Sequence, residues 1–469
     1  MKAIIGVPGA GKTTFLAKEL VKLSFDDYIF TSLTNSSIRA FLSKIGEREK
    51  KRSIRTIYGL AYKKLDEEGM LDEWKKKELK NYEKKIGELI VDYGVFSLYK
   101  EDIENILTLL ILEALERQAE PEEVLDNIET EVKKMIFSDK TINRVFFLLE
   151  DLLSKYKQRK FYGYPFLLYE AFRNNLDIFK VFLPNGEKEP ELIVIDEFQD
   201  TPKFIFEYLS GLRKDKKLLI AGDPAQEIFS FLKTDSNYLL SKISKIKYLV
   251  QTHRFGEEIC SLANRLLKKL GYGFKIKPAN KESRVLYFNY SYSNLVSVLH
   301  KILKHDKEVA ILVRTKNQVR ILEEKLSQRF DVINLEKYDM SVLQNYLKKY
   351  EETLKNKRTS ILDYFKPLEQ LRKEVLREIA PGKQIENILL KLVEGKVVYL
   401  STIHGVKGLE FNNVIIWDAI PRKIEKLLDS GEISEKEELK TIYVGITRAK
   451  RLLIVLKEPD GYFNSFNIS

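Results

Sequence analysis

The first residues whose types and spacing could do chemistry lie near the start of the chain, where residues 6–14 read GVPGAGKTT. Gly6, Gly11, Lys12 and Thr13 complete the spacing GxxxxGK followed by Ser or Thr, between an apolar run and a predicted helix. In this pattern backbone N–H groups surround a phosphate, the lysine neutralises phosphate oxygens, and the threonine hydroxyl holds Mg²⁺. The motif therefore predicts a nucleoside triphosphate site. Its nucleotide-binding residues are predicted to be Gly6, Pro8, Gly9, Ala10, Gly11, Lys12, Thr13 and Thr14.

A pair of carboxylates follows another apolar run, in the stretch LIVIDEFQDT at residues 192–201. A strand here would deliver Asp196 and Glu197 at its carboxyl end, where ligands bind in open α/β sheets. Asp196 is predicted to share the Mg²⁺ with Thr13, and Glu197 to act as general base toward the attacking water. Together with the glycine-rich loop, the pair indicates hydrolysis of a nucleoside triphosphate.

A series of short apolar runs supplies the strands that must position these residues. They read AIIG, LIVID, LLIAGD, AILVR, VVYLST, NVIIWD and LLIVL. Such runs are typical of strands that are buried on both faces of a parallel sheet. Charged helical patterns separate them, and two longer helical stretches, at 61–160 and 321–392, lack them. The expected fold class is α/β with parallel sheets that are interrupted by helical insertions.

The composition indicates which kind of partner the protein binds and in which cellular compartment it lies. The 469 residues carry a formal net charge of +11. This surplus favours a polyanionic partner, nucleic acid or anionic lipid, although a solvated lysine-rich surface would give the same charge. The single cysteine, Cys260, excludes an intramolecular disulfide, and no apolar run reaches the ~18 residues of a membrane span. We therefore expect a cytoplasmic protein without a membrane anchor.

Further motifs appear along the chain in a fixed order. DEFQD at 196–200 is followed by GDPAQ at 222–226, TIHGVKGLEF at 402–411 and YVGITRAK at 443–450. This set resembles the superfamily 1A helicases of the UvrD/Rep/PcrA-like branch. Three shorter stretches, which take the places of other motifs of this branch, are FTSLTN at 30–35, RTIYGLAYKKL at 55–65 and THRF at 252–255.

The resemblance implies two RecA-like P-loop NTPase domains that bind ATP in the cleft between them. Each domain would contain a parallel sheet that is interrupted by a helical insertion. The expected boundaries are 1–60 and 161–242 for the first domain, 61–160 for its insertion, 243–320 and 393–469 for the second domain, and 321–392 for a small, reduced insertion.

The resemblance also implies roles for residues outside the glycine-rich loop. Gln226 would sense the γ-phosphate or the attacking water, and Arg254 and Arg448 would be arginine fingers. A guanidinium near the γ-phosphate would stabilise the charge that builds there during transfer. His253 takes the position at which the family stacks a tyrosine on adenine, and Glu410 would contact the ribose. With Lys12 and Glu197, Gln226 and the two arginines form the predicted catalytic set.

Contacts to nucleic acid are implied by the same motifs. Phe229 and Phe231 follow GDPAQ, and Phe231 takes the position on which the family stacks a base. Stacking of a base on an aromatic ring is tolerant of sequence. The alternative, that both rings belong to the core, stays open. The other candidate DNA-contact residues are Thr34, Asn35, Tyr58, Thr402 and His404.

The implied function is that of an ATP-dependent DNA helicase or translocase on single-stranded DNA, moving 3′→5′, with ATP and Mg²⁺. Two alternatives stay open. The first is a DNA-stimulated ATPase subunit of a nuclease or of a defence or recombination complex, without unwinding of its own. The second is an RNA-directed helicase, because nothing in the sequence reads a 2′-hydroxyl. The expected partners are single-stranded or tailed DNA and a nuclease or a replication or repair protein.

Overall fold

The computed structural model describes residues 1–45, 53–95, 100–135, 139–183, 186–212, 217–279, 281–338, 340–358 and 368–468. The chain divides into two compact units. Unit 1 comprises Met1–Arg254, Leu266–Asn280 and Arg422–Tyr443, and unit 2 comprises Phe255–Arg265, Lys281–Pro421 and Val444–Ser469. Each unit therefore combines segments that are far apart in the sequence.

Unit 1 is built around a six-stranded parallel sheet. The strands of this unit are β1 (Lys2–Gly6), β2 (Tyr28–Ser32), β3 (Ile54–Thr56), β4 (Val181–Leu183), β5 (Gly186–Lys188), β6 (Leu192–Asp196), β7 (Lys217–Gly222), β8 (Lys245–Leu249), β9 (Gln251–Thr252) and β10 (Lys277–Pro278). The large sheet has the order β3-β2-β6-β7-β1-β8, while β4 pairs with β5 and β9 with β10. Because β7 lies between β6 and β1, the carboxyl ends of these three strands are side by side.

Unit 2 contains a second six-stranded parallel sheet. Its strands are β11 (Arg284–Asn289), β12 (Glu308–Val313), β13 (Asp331–Asn334), β14 (Val397–Thr402), β15 (Phe411–Asp418) and β16 (Ala449–Lys457), in the order β11-β16-β15-β12-β14-β13. Strand β13 lies inside the stretch 321–392, for which the sequence predicts only helix. It pairs with β14, from Asp331 opposite Val397 to Asn334 opposite Leu400. Its short apolar run, VI, is too brief to be separated from helical patterning by periodicity alone.

The α-helices surround and connect these sheets. In chain order they are α1 (Lys12–Leu20), α2 (Asn35–Ile45), α3 (Ile57–Glu67), α4 (Glu73–Asp92), α5 (Lys100–Arg117), α6 (Glu129–Met135), α7 (Asp139–Lys157), α8 (Tyr164–Arg173), α9 (Lys203–Leu212), α10 (Ser236–Ser241), α11 (Glu257–Lys269), α12 (Tyr292–His305), α13 (Lys316–Leu326), α14 (Met340–Arg358), α15 (Leu368–Ile379), α16 (Lys383–Glu394), α17 (Arg422–Asp429), α18 (Glu435–Ile446) and α19 (Tyr462–Ser465). None of them, within the described residues, is long and apolar enough to cross a membrane.

The central strands of the large sheet in unit 1 are mostly apolar because both faces of the sheet are covered there. Along β6, Ile193 and Ile195 pack into one buried cluster with residues of α3, α5, α7 and α8. Val194, which points to the opposite face, packs into a second cluster with residues of α1 and α2. This alternation is the two-residue period of a strand between two helical layers. The predicted fold class, α/β with parallel sheets, is confirmed.

The two stretches that the sequence predicts as helical insertions differ in size. Helices α4 to α7 lie within 61–160, and their apolar residues join the main cluster of unit 1. Helices α14 to α16 instead share a small cluster of their own, in which Tyr350, Val375 and Leu389 are buried. The domain boundaries that the resemblance implies stay a prediction.

Candidate nucleotide-binding site

The glycine-rich loop links β1 to α1 through backbone that only glycine adopts easily. Gly9 and Gly11 have φ values of +75° and +76°, in the left-handed region. A Cβ on Gly9 would lie 2.6 Å from Cβ of Arg254 and 2.8 Å from Oγ1 of Thr252. The loop is therefore packed closely against residues 252–254 and has no room for a side chain at position 9.

Residues 252–254 are tied to this loop by hydrogen bonds. The hydroxyl of Thr252 donates to the carbonyl of Pro8 at 2.6 Å and accepts from N–H of Arg254 at 3.1 Å. N–H of His253 donates to the carbonyl of Gly9 at 2.9 Å. Residues 252–254 thus position the loop from within unit 1, and Arg254 and the exposed side chain of His253 lie beside it.

Lys12 and Thr13 occupy the first turn of α1. Nζ of Lys12 donates to the carbonyl of Gly6 at 3.0 Å, and the lysine is 9% exposed. A Cβ on Gly6 would lie 2.3 Å from Cγ of Lys12, so this glycine makes room for the lysine stem. Thr13 is half-buried beside it. The N–H groups at the start of a helix have no partner within the helix, and together with the nearby ammonium group of Lys12 they form an anion-binding arrangement.

The predicted carboxylate pair stands at the end of β6. Burial, and next the negative charge of Glu197, raise the pKa of Asp196 to about 7, against the opposing effect of Lys12. Glu197 has a φ of +52°, which is unusual for a residue with a side chain. Its Oε2 accepts from Nε2 of Gln199 at 2.7 Å. Backbone strain and a raised pKa at adjacent acids are features that concentrate at functional sites.

A buried hydrogen-bond network joins this pair to Gln226. The side chain of Gln199 also accepts from N–H of Asp223 at 3.1 Å, through its Oε1. Oδ2 of Asp223 accepts from Nε2 of Gln226 at 2.9 Å and from the hydroxyl of Tyr443 at 3.1 Å. Asp223 is fully buried, and burial raises its pKa. One connected network therefore runs from Glu197 to Gln226.

The donor set at this edge fits Mg²⁺. This ion takes one or two protein oxygens and completes its octahedron with water and phosphate oxygens. A hydroxyl from Thr13 and a carboxylate from Asp196 are such donors, and a bound cation would favour the ionised form of Asp196. The described residues contain no group of three or more His, Cys, Asp or Glu side chains able to hold a metal.

Two predicted site residues belong to unit 2. Arg448 is 1% exposed, and its guanidinium donates to the carbonyls of Val444 at 3.0 Å and Leu409 at 3.2 Å. Glu410 forms an ion pair with Lys450 at 2.8 Å. Their roles toward nucleotide stay predictions from the resemblance.

Comparison with known protein families identifies the family of this chain. Residues 2–247 match the UvrD/REP helicase N-terminal domain, and residues 130–458 match the UvrD-like helicase C-terminal domain. The chain belongs to the UvrD/REP helicase family. The resemblance read from the motifs is thereby confirmed.

Individual relatives of this helicase chain are distant. It is 25% identical to F-box DNA helicase 1 of Gallus gallus over 56% of this chain and 29% of that protein. It is 22% identical to a probable DNA helicase II homolog of Mycoplasma genitalium, over 59% of this chain and 57% of that protein. It is 26% identical to RecBCD enzyme subunit RecB of Buchnera aphidicola, over 38% of this chain and 20% of that protein. The chain thus spans from 20% to 57% of the length of these relatives.

Among solved structures, the Arterivirus nonstructural protein 10 helicase aligns with 98% of this chain and 61% of its own. The TM-score is 0.37 and the identity 11%, a likeness too weak to bear on the fold.

The helicase motifs place the two candidate stacking residues on one loop. Phe229 and Phe231 meet edge to face, with ring centroids 5.8 Å apart. Both are half-buried and pack at the rim of the main cluster of unit 1. Each ring therefore packs partly against the core and stays partly exposed, and the stacking role stays a prediction.

The other candidate DNA contacts lie in separate places. In unit 1, Thr34 caps α2 by accepting from N–H of Ser37 at 3.4 Å, with Asn35 exposed next to it. The hydroxyl of Tyr58 bonds that of Thr108 at 3.0 Å. In unit 2, Thr402 ends β14 and His404 follows it, half-buried.

Several residues of this candidate site are absent from the set predicted from the sequence. Asp223, Gln199 and Tyr443 complete the network around Gln226. All three stand inside the quoted motifs GDPAQ, DEFQD and YVGITRAK. Buried polar side chains in motif positions could have indicated them, but only the folded chain brings them into contact.

Proposed function

We propose that this chain is an ATP-dependent DNA helicase or translocase that acts on single-stranded DNA and moves 3′→5′. The single observation that carries the proposal is the network Glu197–Gln199–Asp223–Gln226 at the mouth of a glycine-rich phosphate loop. It joins the predicted base to the predicted sensor in a chain of a helicase family. The decisive test is therefore whether the variant Glu197→Gln loses ATP hydrolysis that single-stranded DNA stimulates.

In this proposal the residues of unit 1 carry the chemistry. The loop amides and Lys12 bind the phosphates, and Arg254 stabilises charge on the γ-phosphoryl group. Glu197 accepts the proton of the attacking water, whose oxygen bonds to the γ-phosphorus as the bond to ADP breaks. Gln226 orients that water or the γ-phosphate. Mg²⁺, held by Thr13 and Asp196, would neutralise charge on the β- and γ-phosphate oxygens.

The same loop gives a physical route from nucleotide to DNA. Gln226 is followed by Glu227, Phe229 and Phe231 within six positions. Ser230 donates to Glu437 at 2.6 Å, and Glu227 forms an ion pair with Lys440, so α18 holds this loop at two points. Because the loop is continuous from Gln226 to Phe231, a shift of Gln226 on hydrolysis would move the aromatic pair against these two contacts, which is how a strand could be advanced.

One alternative has support of its own. A relative of this chain is named a subunit of the RecBCD enzyme. An ATPase subunit of a nuclease complex would show hydrolysis that single-stranded DNA stimulates, without strand separation by the chain alone.

The test is ATP hydrolysis with and without single-stranded DNA, for the wild type and for Glu197→Gln. We expect stimulation by DNA, and a loss of about 10²–10⁴-fold in hydrolysis in the variant, because general-base catalysis contributes on this order. Nucleotide binding should persist. Glu207→Gln is the matched control, since Glu207 is a half-exposed carboxylate of unit 1 that bonds Tyr238.

Unwinding of 3′-tailed and 5′-tailed duplexes then tests polarity. Stimulation without unwinding of either would favour the subunit alternative. Stronger stimulation by RNA than by DNA would favour an RNA-directed helicase. Hydrolysis that is indifferent to both nucleic acids would overturn the proposal.

A further inference from the structure

The carboxylate of Glu336, a residue outside all of the quoted motifs, lies at the carboxyl end of β14. Glu336 follows β13, the neighbour of β14 in the second sheet. Its Oε1 accepts three hydrogen bonds, from the hydroxyl of Ser401 at 2.8 Å, from N–H of Thr402 at 2.7 Å and from the hydroxyl of Thr402 at 2.8 Å. Ser401 and Thr402 are 1% and 5% exposed, whereas Glu336 is half-buried. One anionic oxygen is thus gathered by one amide and two hydroxyls.

Gly405 provides the space that this carboxylate needs. A Cβ at position 405 would lie 2.6 Å from Oε1 of Glu336 and 2.7 Å from Oγ of Ser401. N–H of Gly405 donates to the hydroxyl oxygen of Thr402 at 3.0 Å. The proton of that hydroxyl therefore points to Glu336, and one of its lone pairs is used by Gly405.

This arrangement occupies both donors of Thr402. The residue has one N–H and one O–H, and both donate to the same oxygen of Glu336. A phosphate of a nucleic-acid backbone needs such donors, since hydroxyls and backbone amides supply much of the contact to phosphate oxygens. While Glu336 stays in place, Thr402 has no donor to offer, and the carboxylate charge repels an approaching phosphate.

We propose that Glu336 is an internal phosphate mimic, which occupies the phosphate-binding position at Thr402 and must be displaced by the nucleic-acid backbone. This inference rests on the proposed function, because it requires Thr402 to contact a strand. The displacement needs only rotation of a half-buried side chain. The backbone of Glu336 is held separately, by donation from its N–H to Oδ1 of Asn334 at 3.0 Å.

Glu336→Gln is the first variant. It removes the charge and keeps the size, so the donors are held less strongly, since hydrogen bonds to an ionised acceptor are about twice as strong as neutral ones. We expect the variant to bind a fluorescein-labelled oligothymidylate about 3- to 10-fold more tightly than the wild type, with a steeper dependence on salt concentration. In a Thr402→Val background, this gain should be smaller, because the hydroxyl that the phosphate would use is gone, while the N–H of residue 402 and the loss of the carboxylate charge remain.

Gly405→Ala is the second variant, and it leaves every charge in place. Its added methyl group would push the carboxylate away from Thr402. We expect tighter binding of the oligothymidylate here as well. Glu323→Gln is the matched control, because Glu323 bonds Asn334 and Lys337 nearby but does not bond Thr402. Its affinity should change less than twofold. Thermal unfolding of each variant separates a local effect from a loss of fold.

The outcomes distinguish this inference from the proposed function. If the wild type neither binds the oligonucleotide nor hydrolyses ATP faster in its presence, the proposed function fails and this inference fails with it. If the wild type binds and Thr402→Val weakens binding, but Glu336→Gln is unchanged or weaker, only the mimic is overturned and Glu336 merely positions Thr402. A gain that is undiminished with valine at 402, or that Glu323→Gln reproduces, also overturns the mimic.

Discussion

Two aspartates at the carboxyl ends of parallel strands show how differently the two sheets use the same architecture. Asp196 ends β6 in unit 1, and Asp418 ends β15 in unit 2. Burial raises the pKa of each to about 7. For Asp196 the next cause is the charge of Glu197, which raises the pKa further. For Asp418 the next cause is a hydrogen bond from N–H of Phe463, at 3.2 Å, which lowers it.

The difference teaches how to separate a site from a structural cap. The protein supplies backbone donors to Asp418, which thereby holds the start of α19. Asp196 also accepts one backbone hydrogen bond, from N–H of Glu197 at 3.0 Å, but the charges of Glu197 and Lys12 affect its pKa more than this bond does. A bound cation and phosphate would complete this charged arrangement. At Asp418 the charges of Lys457 and Glu458 affect the pKa less than the backbone donors do. A buried acid on which charged neighbours act more strongly than backbone donors is therefore the better candidate for function, even when both acids have the same pKa.

The largest expected effect comes from the loop beside Asp196. Gly9→Ala would place a Cβ 2.6 Å from Arg254 in backbone with φ of +75°. We expect a loss of several kcal/mol in unfolding free energy, from strain of about 1–2 kcal/mol together with the clash. ATP hydrolysis should fall at least ~100-fold, because misplacement by about 1 Å has effects of this size.

Gly69→Ala is the matched control for this change. Gly69 has a φ of +70°, but nothing lies within 4 Å of its added Cβ. Gly69→Ala should lose only about 1 kcal/mol of unfolding free energy and should hydrolyse ATP as fast as the wild type. Equal effects of the two substitutions, by thermal unfolding and by turnover, would show that the loop is not held by residues 252–254.

The next effect concerns Asp418 and the pH dependence of stability. The folded-state pKa of about 7 lies above the ordinary value of 3.8, so the stabilising contribution is present below about pH 4 and is lost as pH rises through 7. Asn does not titrate and its Oδ1 can still accept from Phe463. The unfolding free energy of Asp418→Asn should therefore exceed that of the wild type between pH 5 and pH 8, by on the order of a few kcal/mol. Parallel profiles of unfolding free energy against pH would contradict this.

The prediction with the smallest expected effect concerns the hydrogen-bond network around Gln226. Tyr443→Phe removes the hydroxyl that donates to Asp223 at 3.1 Å, and it should lower the unfolding free energy by about 1 kcal/mol. Turnover should fall only a few-fold, because Gln226 still donates to Asp223. Tyr28→Phe is the control, since within the described residues the buried hydroxyl of Tyr28 has no hydrogen-bond partner. A larger loss for Tyr28 than for Tyr443, measured by denaturant unfolding, would refute the account of the network.

The sequence by itself determined the parts of this protein that depend on local spacing. The glycine-rich loop could be read from Gly6 to Thr13 because a strand, a turn and a helix start must follow one another within a few residues. The α/β class with parallel sheets followed from apolar runs such as LIVID, whose alternate residues face two helical layers. Asp196 and Glu197 could be placed at a strand end for the same reason.

Only the tertiary structure decided which distant segments meet. Thr252 bonds Pro8 across 244 positions, and Tyr443 bonds Asp223 across 220. The helix α17 and most of α18 join unit 1 although their neighbours in sequence belong to unit 2. The contact of Glu336 with Thr402 depends on β13 pairing with β14. No local pattern specifies such contacts, because they follow from the order in which strands pair and from the packing of the helices that cover them.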